Sequence, residues 1–458
     1  MRSIACCATE STRRSPADTR IVRAFSAASR SEKAWIVFEG NSCMTGMSVT
    51  SADYSRSAGT SVNVRGEHTS SATAEQTDKS TASAKKSRMS VQRNRVSLWH
   101  GLDAGGMVSL LRLRPELNLR NADRLLGGVL MSGANSLLNA VSSLIYGRRV
   151  AAQKLNRPPL FILGHWRSGT TMLHNLLTLN PELGFLNLYQ CLNPGHFLLT
   201  EKVIAPLTEW MLSSTRPMDN MPLSWSLPQE DEMGLCVSTL LSPYIMIAFQ
   251  DRMDVYERFF DPRDMTPKEQ QVWKSALLSL LQKFALRSDQ TPVMKSPTHT
   301  FRVPTLMEMF PQAKFVYIHR NPRDVIRSTV RLREVLFTEN SIGPLHPECW
   351  LGQTVDVYER CIRSYENAKH LIPGKQLVEI GFEDLEANPG EVVHRIHREL
   401  DLGGWEKTRP LLTRALAEFA DYRKNSFRPD AEMDSLVRTR LAWVCELYGY
   451  DVNKARVA

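Results

Sequence analysis

Residues 159–171 read Pro-Leu-Phe-Ile-Leu-Gly-His-Trp-Arg-Ser-Gly-Thr-Thr, and this stretch decides the fold. An apolar run of strand length meets a loop that has Gly164 and Gly169 at its two ends, and apolar residues then recur at helical spacing from Met172 to Leu179. A strand, a glycine-bounded loop and a helix form the layout of a P-loop, in which backbone N–H groups and the helix N-terminus favour an anion. The stretch therefore predicts a site for a phosphate-type group.

The residue after Gly169 separates this loop from the loop of nucleotide triphosphatases. That motif requires a lysine where this chain has Thr170, although Thr171 fits the serine or threonine position that follows. Arg167, inside the loop, supplies a cation whose planar guanidinium group suits an oxyanion. We therefore expect a phosphate-type ligand rather than ATP held in the usual way, and a P-loop nucleotide kinase or nucleotide triphosphatase is kept as an alternative.

A second motif lies downstream, where the strand-like run from Phe315 to Ile318 leads to Arg320 and, eight residues later, to Ser328. With residues 167–171 it resembles the family of sulfotransferases that use 3′-phosphoadenosine 5′-phosphosulfate (PAPS), closest to the branch of bacterial and tyrosyl-protein enzymes. The resemblance covers roughly residues 95–450. It implies that Arg320 and Ser328 bind the 3′-phosphate of PAPS. It also implies a 5′-phosphosulfate loop that consists of Gly164, Arg167, Ser168, Gly169, Thr170 and Thr171.

The resemblance also implies a reaction, the transfer of a sulfuryl group from PAPS to a hydroxyl or amine of an acceptor. Such a transfer depends on positioning and on neutralising the charge of the leaving group. The family places a lysine at the end of a strand, and Lys295 takes that position here. This chemistry requires no metal, and none is expected.

A general base for the acceptor is less evident. Tyrosyl-protein sulfotransferases carry a glutamate soon after the first helix, but residues 185–188 of this chain contain no carboxylate. Glu230 is the preferred replacement and Glu232 the next, followed by His299 and His165. A positioned base contributes roughly a hundredfold to ten-thousandfold in rate.

The alternation of strands and helices predicts an α/β fold, a P-loop-type and mostly parallel sheet flanked by helices, over residues 156–455. Gly164, Lys295 and Arg320 each follow the end of a strand. Ligands of such sheets bind beyond the carboxyl ends of the strands, so these three residues are expected to share one site.

A helical extension is expected over residues 96–155, and it contains no charged residue between Arg124 and Arg148. Its asparagines, glycines and serines disfavour a membrane span. Its leucines and valines cluster on one helical face, which we expect to pack on the domain. Peripheral membrane contact through residues 125–147 is the alternative.

The charge of the chain is concentrated at its start. Of the formal net charge of +9, residues 1–95 carry +7, because they hold 15 lysines and arginines against 8 acidic residues. No nucleic-acid partner is therefore expected. The same segment is rich in serine, threonine and alanine without periodicity, which predicts a disordered tail.

The cysteines and the start of the sequence favour a cytoplasmic protein. The eight cysteines have neither zinc nor disulfide spacing, and the first apolar run is too short for a secretory signal.

The acceptor stays open at this point: a lipid, a carbohydrate, a small alcohol and a peptide tyrosine all fit.

Residues 422–428 form a basic stretch that resembles the C-terminal loop with which many sulfotransferases close over the nucleotide. A non-catalytic scaffold with a degenerate sulfotransferase fold is a further alternative, and the intact residues Arg167, Lys295, Arg320 and Ser328 argue against it.

Overall fold

The computed structural model describes residues 96–113, 117, 121–213, 223–250, 253–419 and 430–452. The predicted disordered tail, residues 1–95, and the predicted basic loop, residues 422–428, lie outside the described residues. Within the described part, the sheet has five strands: β1 (Leu160–Leu163), β2 (Leu183–Phe185), β3 (Thr291–Lys295), β4 (Lys314–His319) and β5 (Leu377–Gly381). Their spatial order is β2-β3-β1-β4-β5, and every neighbouring pair is parallel.

Helices fill the segments between and around these strands. In the described part of the chain they are α1 (Ala104–Leu113), α2 (Ala122–Ala152), α3 (Thr170–Leu177), α4 (Leu188–Leu192), α5 (Phe197–Thr208), α6 (Asp231–Thr239), α7 (Met253–Tyr256), α8 (Pro267–Ala285), α9 (Val303–Met309), α10 (Pro322–Asn340), α11 (Trp350–Ala368), α12 (Phe382–Ala387), α13 (Pro389–Glu399), α14 (Trp405–Phe419), α15 (Ala431–Arg440) and α16 (Ala442–Leu447). The predicted α/β fold, with a parallel sheet flanked by helices, is confirmed.

The central strand β1 shows why the sheet is covered on both faces. All four of its residues are buried, and successive side chains of a strand point to opposite faces. Leu160 and Ile162 enter one hydrophobic cluster, whereas Phe161 and Leu163 enter another. A strand that is apolar at every position is what a parallel sheet between two helical layers requires.

The strand ends bring the predicted site residues to one edge of the sheet. Ile162 of β1 lies beside Lys295, the last residue of β3. Leu163 lies beside Tyr317 of β4, and the chain leaves β4 through Arg320. The side chain of Asn321 accepts a hydrogen bond from the backbone N–H of Arg323 and so caps α10, which carries Ser328.

The strand β2 was not predicted from the sequence. It has only three residues, with Gly184 at its centre, so neither hydrophobic alternation nor strand propensity marks it. Its partner β3 holds it in place through the register from Leu183 opposite Thr291 to Phe185 opposite Val293. The pairing partner, rather than the local sequence, makes this segment a strand.

The orientation of α2 contradicts the expectation that its apolar face packs on the domain. Its buried residues are Arg124, Gly128, Ser132, Asn135, Ser142 and Val150. The leucines at 126, 130, 137 and 144 are instead exposed by 60% to 78%. Helical spacing defines a face, but it does not say which way that face turns. Among the described residues, α2 is the helix that is long and apolar enough to cross a membrane, and 22% of its most apolar window is buried.

Candidate active site

The loop between β1 and α3 has the backbone that its glycines allow. Gly164 has a φ of +142° and Gly169 a φ of +106°. A Cβ atom on Gly164 would lie 2.6 Å from the carbonyl oxygen of Ile318, and one on Gly169 would lie 2.3 Å from the ring of Phe382. Both positions therefore exclude side chains, and the loop lies directly against the end of β4 and the start of α12.

Arg167 joins the two sequence motifs. Its own φ of 68° is in the left-handed region, which is uncommon for a residue with a side chain and is often found at functional sites. Its Nε atom donates to Oγ of Ser328 at 2.8 Å, and its carbonyl oxygen accepts from Nη1 of Arg320 at 3.2 Å. Ser328 and Arg320 lie 161 and 153 positions from Arg167 in the chain. The three residues thus form one pocket.

The second arginine of this pocket lacks a full set of partners. Arg320 stacks on the ring of Phe382 at 4.2 Å and lies 3.8 Å from Asp324, yet its buried Nε atom has no hydrogen-bond partner among the described residues. Burial lowers the pKa of Arg320, and the positive charge of Arg167 lowers it further. Two neighbouring guanidinium groups and an unused donor form an environment in which an anion would be stabilised.

Lys295 and Glu230 form an ion pair beside this pocket. The Nζ atom of Lys295 donates to Oε1 of Glu230 at 2.9 Å, and the lysine side chain is 1% exposed while the glutamate is 18% exposed. The hydroxyl of Tyr244 donates to the other carboxylate oxygen of Glu230. The indole N–H of Trp166, in the loop after β1, donates to the same hydroxyl at 3.3 Å. A chain of hydrogen bonds therefore leads from the loop to the lysine.

Tyr244 and Trp166 were not identified from the sequence. Tyr244 lies in a short 3₁₀ turn, Pro243–Ile247, with no motif around it, and burial raises its pKa well above the ordinary value. Trp166 could have been singled out because it lies in the quoted loop between Gly164 and Gly169, whereas no sequence signal marks Tyr244.

The two acidic neighbours of Glu230 have other partners. Both carboxylate oxygens of Glu232 are bound by the guanidinium group of Arg302, and the hydroxyls of Ser242 and Thr298 donate to them as well. Glu232 and Arg302 are both 0% exposed. Asp231 pairs with Nε2 of His299 at 2.6 Å, again fully inside the protein.

Two further histidines lie within the site region and are neutral. Burial lowers the pKa of His165 to about 3. Burial, and then the charge of Lys295, lower the pKa of His174 on α3 to about 3 as well. Both ring nitrogens of His174 lack hydrogen-bond partners among the described residues. Neither ring is exposed, since each side chain is 1% accessible.

The family follows from comparison with known proteins. A model of the sulfotransferase family matches residues 158–407, which begin before β1 and run to the start of α14. This chain belongs to the sulfotransferase family. A sulfotransferase transfers a sulfuryl group from a sulfonate donor to an acceptor, so the resemblance read from residues 167–171 and from Arg320 and Ser328 is confirmed. The kinase and scaffold alternatives find no support.

Two curated sulfotransferases are similar to this chain over most of its length. The sulfotransferase is 38% identical over 321 residues to the omega-hydroxy-beta-dihydromenaquinone-9 sulfotransferase Stf3 of Mycobacterium bovis, a match that covers 70% of this chain and 82% of the relative. The Stf3 protein of Mycobacterium tuberculosis matches to the same extent. Among solved structures, the sulfotransferase STF9 from Mycobacterium avium superposes with a TM-score of 0.58 at 17% identity, over 79% of this chain and 93% of that one, which shows a common fold.

Proposed function

We propose that the sulfonate donor of this enzyme is PAPS. Its 5′-phosphosulfate would be held by Gly164, Ser168, Gly169, Thr170 and Thr171 together with Arg167, and its 3′-phosphate by Arg320 and Ser328. The observation that carries the proposal is the hydrogen bond from Arg167 to Ser328, because it brings the two predicted anion sites within reach of one nucleotide. The unused Nε donor of Arg320 supports a second phosphate there.

Lys295 and Glu230 are proposed as the catalytic residues. In the transfer, the sulfur–oxygen bond to the donor's phosphate breaks and its electron pair stays on the phosphate, while a new bond forms to the acceptor oxygen. Lys295 would neutralise the charge that develops on the leaving phosphate, and Glu230 would take the proton of the acceptor hydroxyl. The contact between them, 2.9 Å, supports this division, since both groups must lie close to the transferred sulfur.

Glu230 is favoured over the other candidate bases by its access to solvent. It is 18% exposed, whereas Glu232 and His299 have no exposed side-chain surface. We assign to Glu232 a structural role as the partner of Arg302, and to His299 the same role as the partner of Asp231. An acceptor could reach Glu232 only by breaking its buried ion pair with Arg302, and His299 only by breaking its buried hydrogen bond with Asp231.

The proposed acceptor is the hydroxyl of a lipid alcohol. Support comes from the Stf3 relatives, whose name specifies a hydroxylated menaquinone derivative, and whose length this chain covers by 82%. A lipid of this kind resides in a membrane, and peripheral membrane contact through residues 125–147 is part of the proposal. The exposed leucines of α2 support it.

The test is a transfer assay with the purified full chain and PAPS that carries radiolabelled sulfur. Acceptors are an omega-hydroxylated quinone lipid in detergent micelles, a monosaccharide, a short-chain alcohol and a tyrosine peptide. The proposal predicts a labelled product from the lipid, and loss of that product in Lys295→Ala. Labelling of the monosaccharide or peptide alone would refute the acceptor assignment, and the absence of label in all four with PAPS bound would refute the proposed function.

A further inference from the structure

The helix α2 has the reverse of the polarity that a surface helix of a globular protein normally shows. Polar and small residues such as Arg124, Ser132 and Asn135 face the domain, where each is at most 6% exposed. Large apolar residues face outward, with Leu130 exposed by 71% and Leu144 by 78%. Water is an unfavourable environment for such a face, because each exposed leucine forgoes roughly 2 kcal/mol of transfer free energy.

Neighbouring helices extend this apolar exterior. Both α1 and α5 pack against α2. Val203 and Leu207 of α5 are exposed by 61% and 68%, and Trp210, just after α5, is exposed by 68%. We call the exposed apolar residues of these three helices and of the turn after α5 the apolar surface; its members are Val108, Leu126, Val129, Leu130, Met131, Leu137, Val141, Leu144, Ile145, Val203, Leu207 and Trp210.

The attachment of α2 to the domain excludes a membrane span. Near its start, Arg124 lies 3.9 Å from Glu339 at the end of α10. In its middle, Asn135 donates to the carbonyl oxygens of His100 and Leu102 at 2.8 and 2.9 Å. Just past its end, the carbonyl oxygen of Gln153 accepts from Gln282 of α8 at 3.1 Å. With 31 residues the helix is about 46 Å long, and it is held to the domain near its start, in its middle and just past its end, so it could meet a membrane only along its length.

The charges around the apolar surface indicate what covers it. Among the described residues on α1, α2 and α5 or within two positions of their ends, the exposed cations are Arg112, Arg148, Lys154 and Lys202, against the exposed acids Asp123 and Glu209. A net positive rim around an apolar face matches a bilayer with anionic headgroups. A second copy of the chain fits less well, because a two-fold interface would bring the same cations together.

We propose that the apolar surface docks this enzyme on an anionic bilayer, with α2 lying in the plane of the interface. The proposal deepens the proposed function, on which it rests, by naming the surface that meets the membrane holding the lipid alcohol. Leucines enter the acyl region, Trp210 sits at the level of the headgroups, and Arg148 and Lys202 contact the phosphates.

The test measures co-sedimentation of the full chain with vesicles. Vesicles of phosphatidylcholine alone are compared with vesicles that contain phosphatidylglycerol as well. The test variant carries Leu130→Gln, Leu137→Gln and Leu144→Gln, since glutamine is also a good helix former. The matched control carries Leu371→Gln, Leu411→Gln and Leu447→Gln, three leucines that are exposed by 44% to 46% and lie outside the apolar surface.

The proposal predicts that the wild type binds anionic vesicles better than neutral ones, that the test variant binds them roughly a hundredfold less, and that the control variant keeps its binding. Adenosine 3′,5′-bisphosphate binding should be unchanged in both variants, which shows that they are folded. Wild-type protein that stays in the supernatant, or equal binding by the two variants, would overturn the proposal. The proposal would also be overturned if the wild type and the control variant were dimers while the test variant was a monomer.

The two proposals fail separately. If vesicle binding behaves as described while no lipid alcohol is sulfated, the docking surface stands and the acceptor assignment falls. If the micellar lipid is sulfated while the wild type does not bind vesicles, the donor and acceptor assignments stand, and the docking surface and the membrane contact through residues 125–147 are overturned.

Discussion

Replacement of Glu230 by glutamine is the perturbation that most sharply separates catalysis from architecture. The amide keeps an oxygen that accepts from Nζ of Lys295, which lies 2.9 Å away in the wild type, but it removes the charge and the ability to take a proton. Because a positioned base contributes roughly a hundredfold to ten-thousandfold, kcat should fall by a factor in that range. The affinity for adenosine 3′,5′-bisphosphate should stay within about threefold of the wild type, since Glu230 lies outside the two proposed anion pockets. A threefold change in affinity corresponds to less than about 1 kcal/mol in binding free energy.

The variant should also lose stability. Lys295 is 1% exposed and loses its charge partner, so the free energy of unfolding should fall by roughly 3 kcal/mol, the lower end of the range for a broken buried pair, because Glu230 itself is 18% exposed. Glu406→Gln is the matched control, because the carboxylate of Glu406 is 78% exposed on α14. Thermal unfolding separates a folding defect from a catalytic one.

The assay is the initial rate of labelled product formation at saturating donor and acceptor. The wild type and the Glu406→Gln control should show the same kcat, and the Glu230→Gln variant should show the reduced one. A Glu230→Gln variant that keeps more than a tenth of the wild-type kcat would show that another group takes the proton, and the assignment of Glu230 would be refuted.

Three further predictions follow from the same contacts. Tyr244→Phe removes a hydrogen bond to Glu230, so kcat should fall while nucleotide affinity stays constant; an unchanged kcat would mean that Tyr244 does not orient the base. Glu232→Gln leaves the buried Arg302 without its charge partner, so the free energy of unfolding measured in urea should fall by roughly 3–5 kcal/mol; a loss below 1 kcal/mol would contradict the structural role. Because the pKa of His174 is lowered to about 3, the unfolded state takes up its proton first as pH falls below 6.5. Stability should thus drop by about 1 kcal/mol between pH 6.5 and 5.5 on account of this residue, and His174→Asn should remove that part of the slope.

Much of the fold could be predicted because its signals are local. The glycines at 164 and 169 mark a loop with positive φ at both ends, and the strand before it is apolar at every position because it is covered on both faces. Thr266 and Glu269 form a capping box at the start of α8, which is a signal of the same local kind. Residues beyond the strand ends were expected to converge because parallel strands share one carboxyl edge, and the described structure brings Arg167, Ser328 and Arg320 into contact.

The remainder depends on contacts between distant segments. Glu230, Asp231 and Glu232 are consecutive, and their order does not reveal that Arg302 and His299 bind two of them and leave Glu230 accessible. The outward turn of α2 was missed for the same reason. An apolar stripe predicts burial, but whether protein or another apolar medium covers it depends on the surface that the helix meets.

The central claim is that one nucleotide bridges the loop at Arg167 and the pocket of Arg320 and Ser328. Calorimetric comparison of adenosine 3′,5′-bisphosphate with adenosine 5′-monophosphate tests it most directly. The 3′-phosphate should gain about two charge-assisted hydrogen bonds, so the wild type should prefer the bisphosphate by roughly a hundredfold or more. Arg320→Ala should abolish that preference while Lys295→Ala keeps it. If Arg320→Ala retains the full preference for the bisphosphate, the 3′-phosphate binds elsewhere and the account is contradicted.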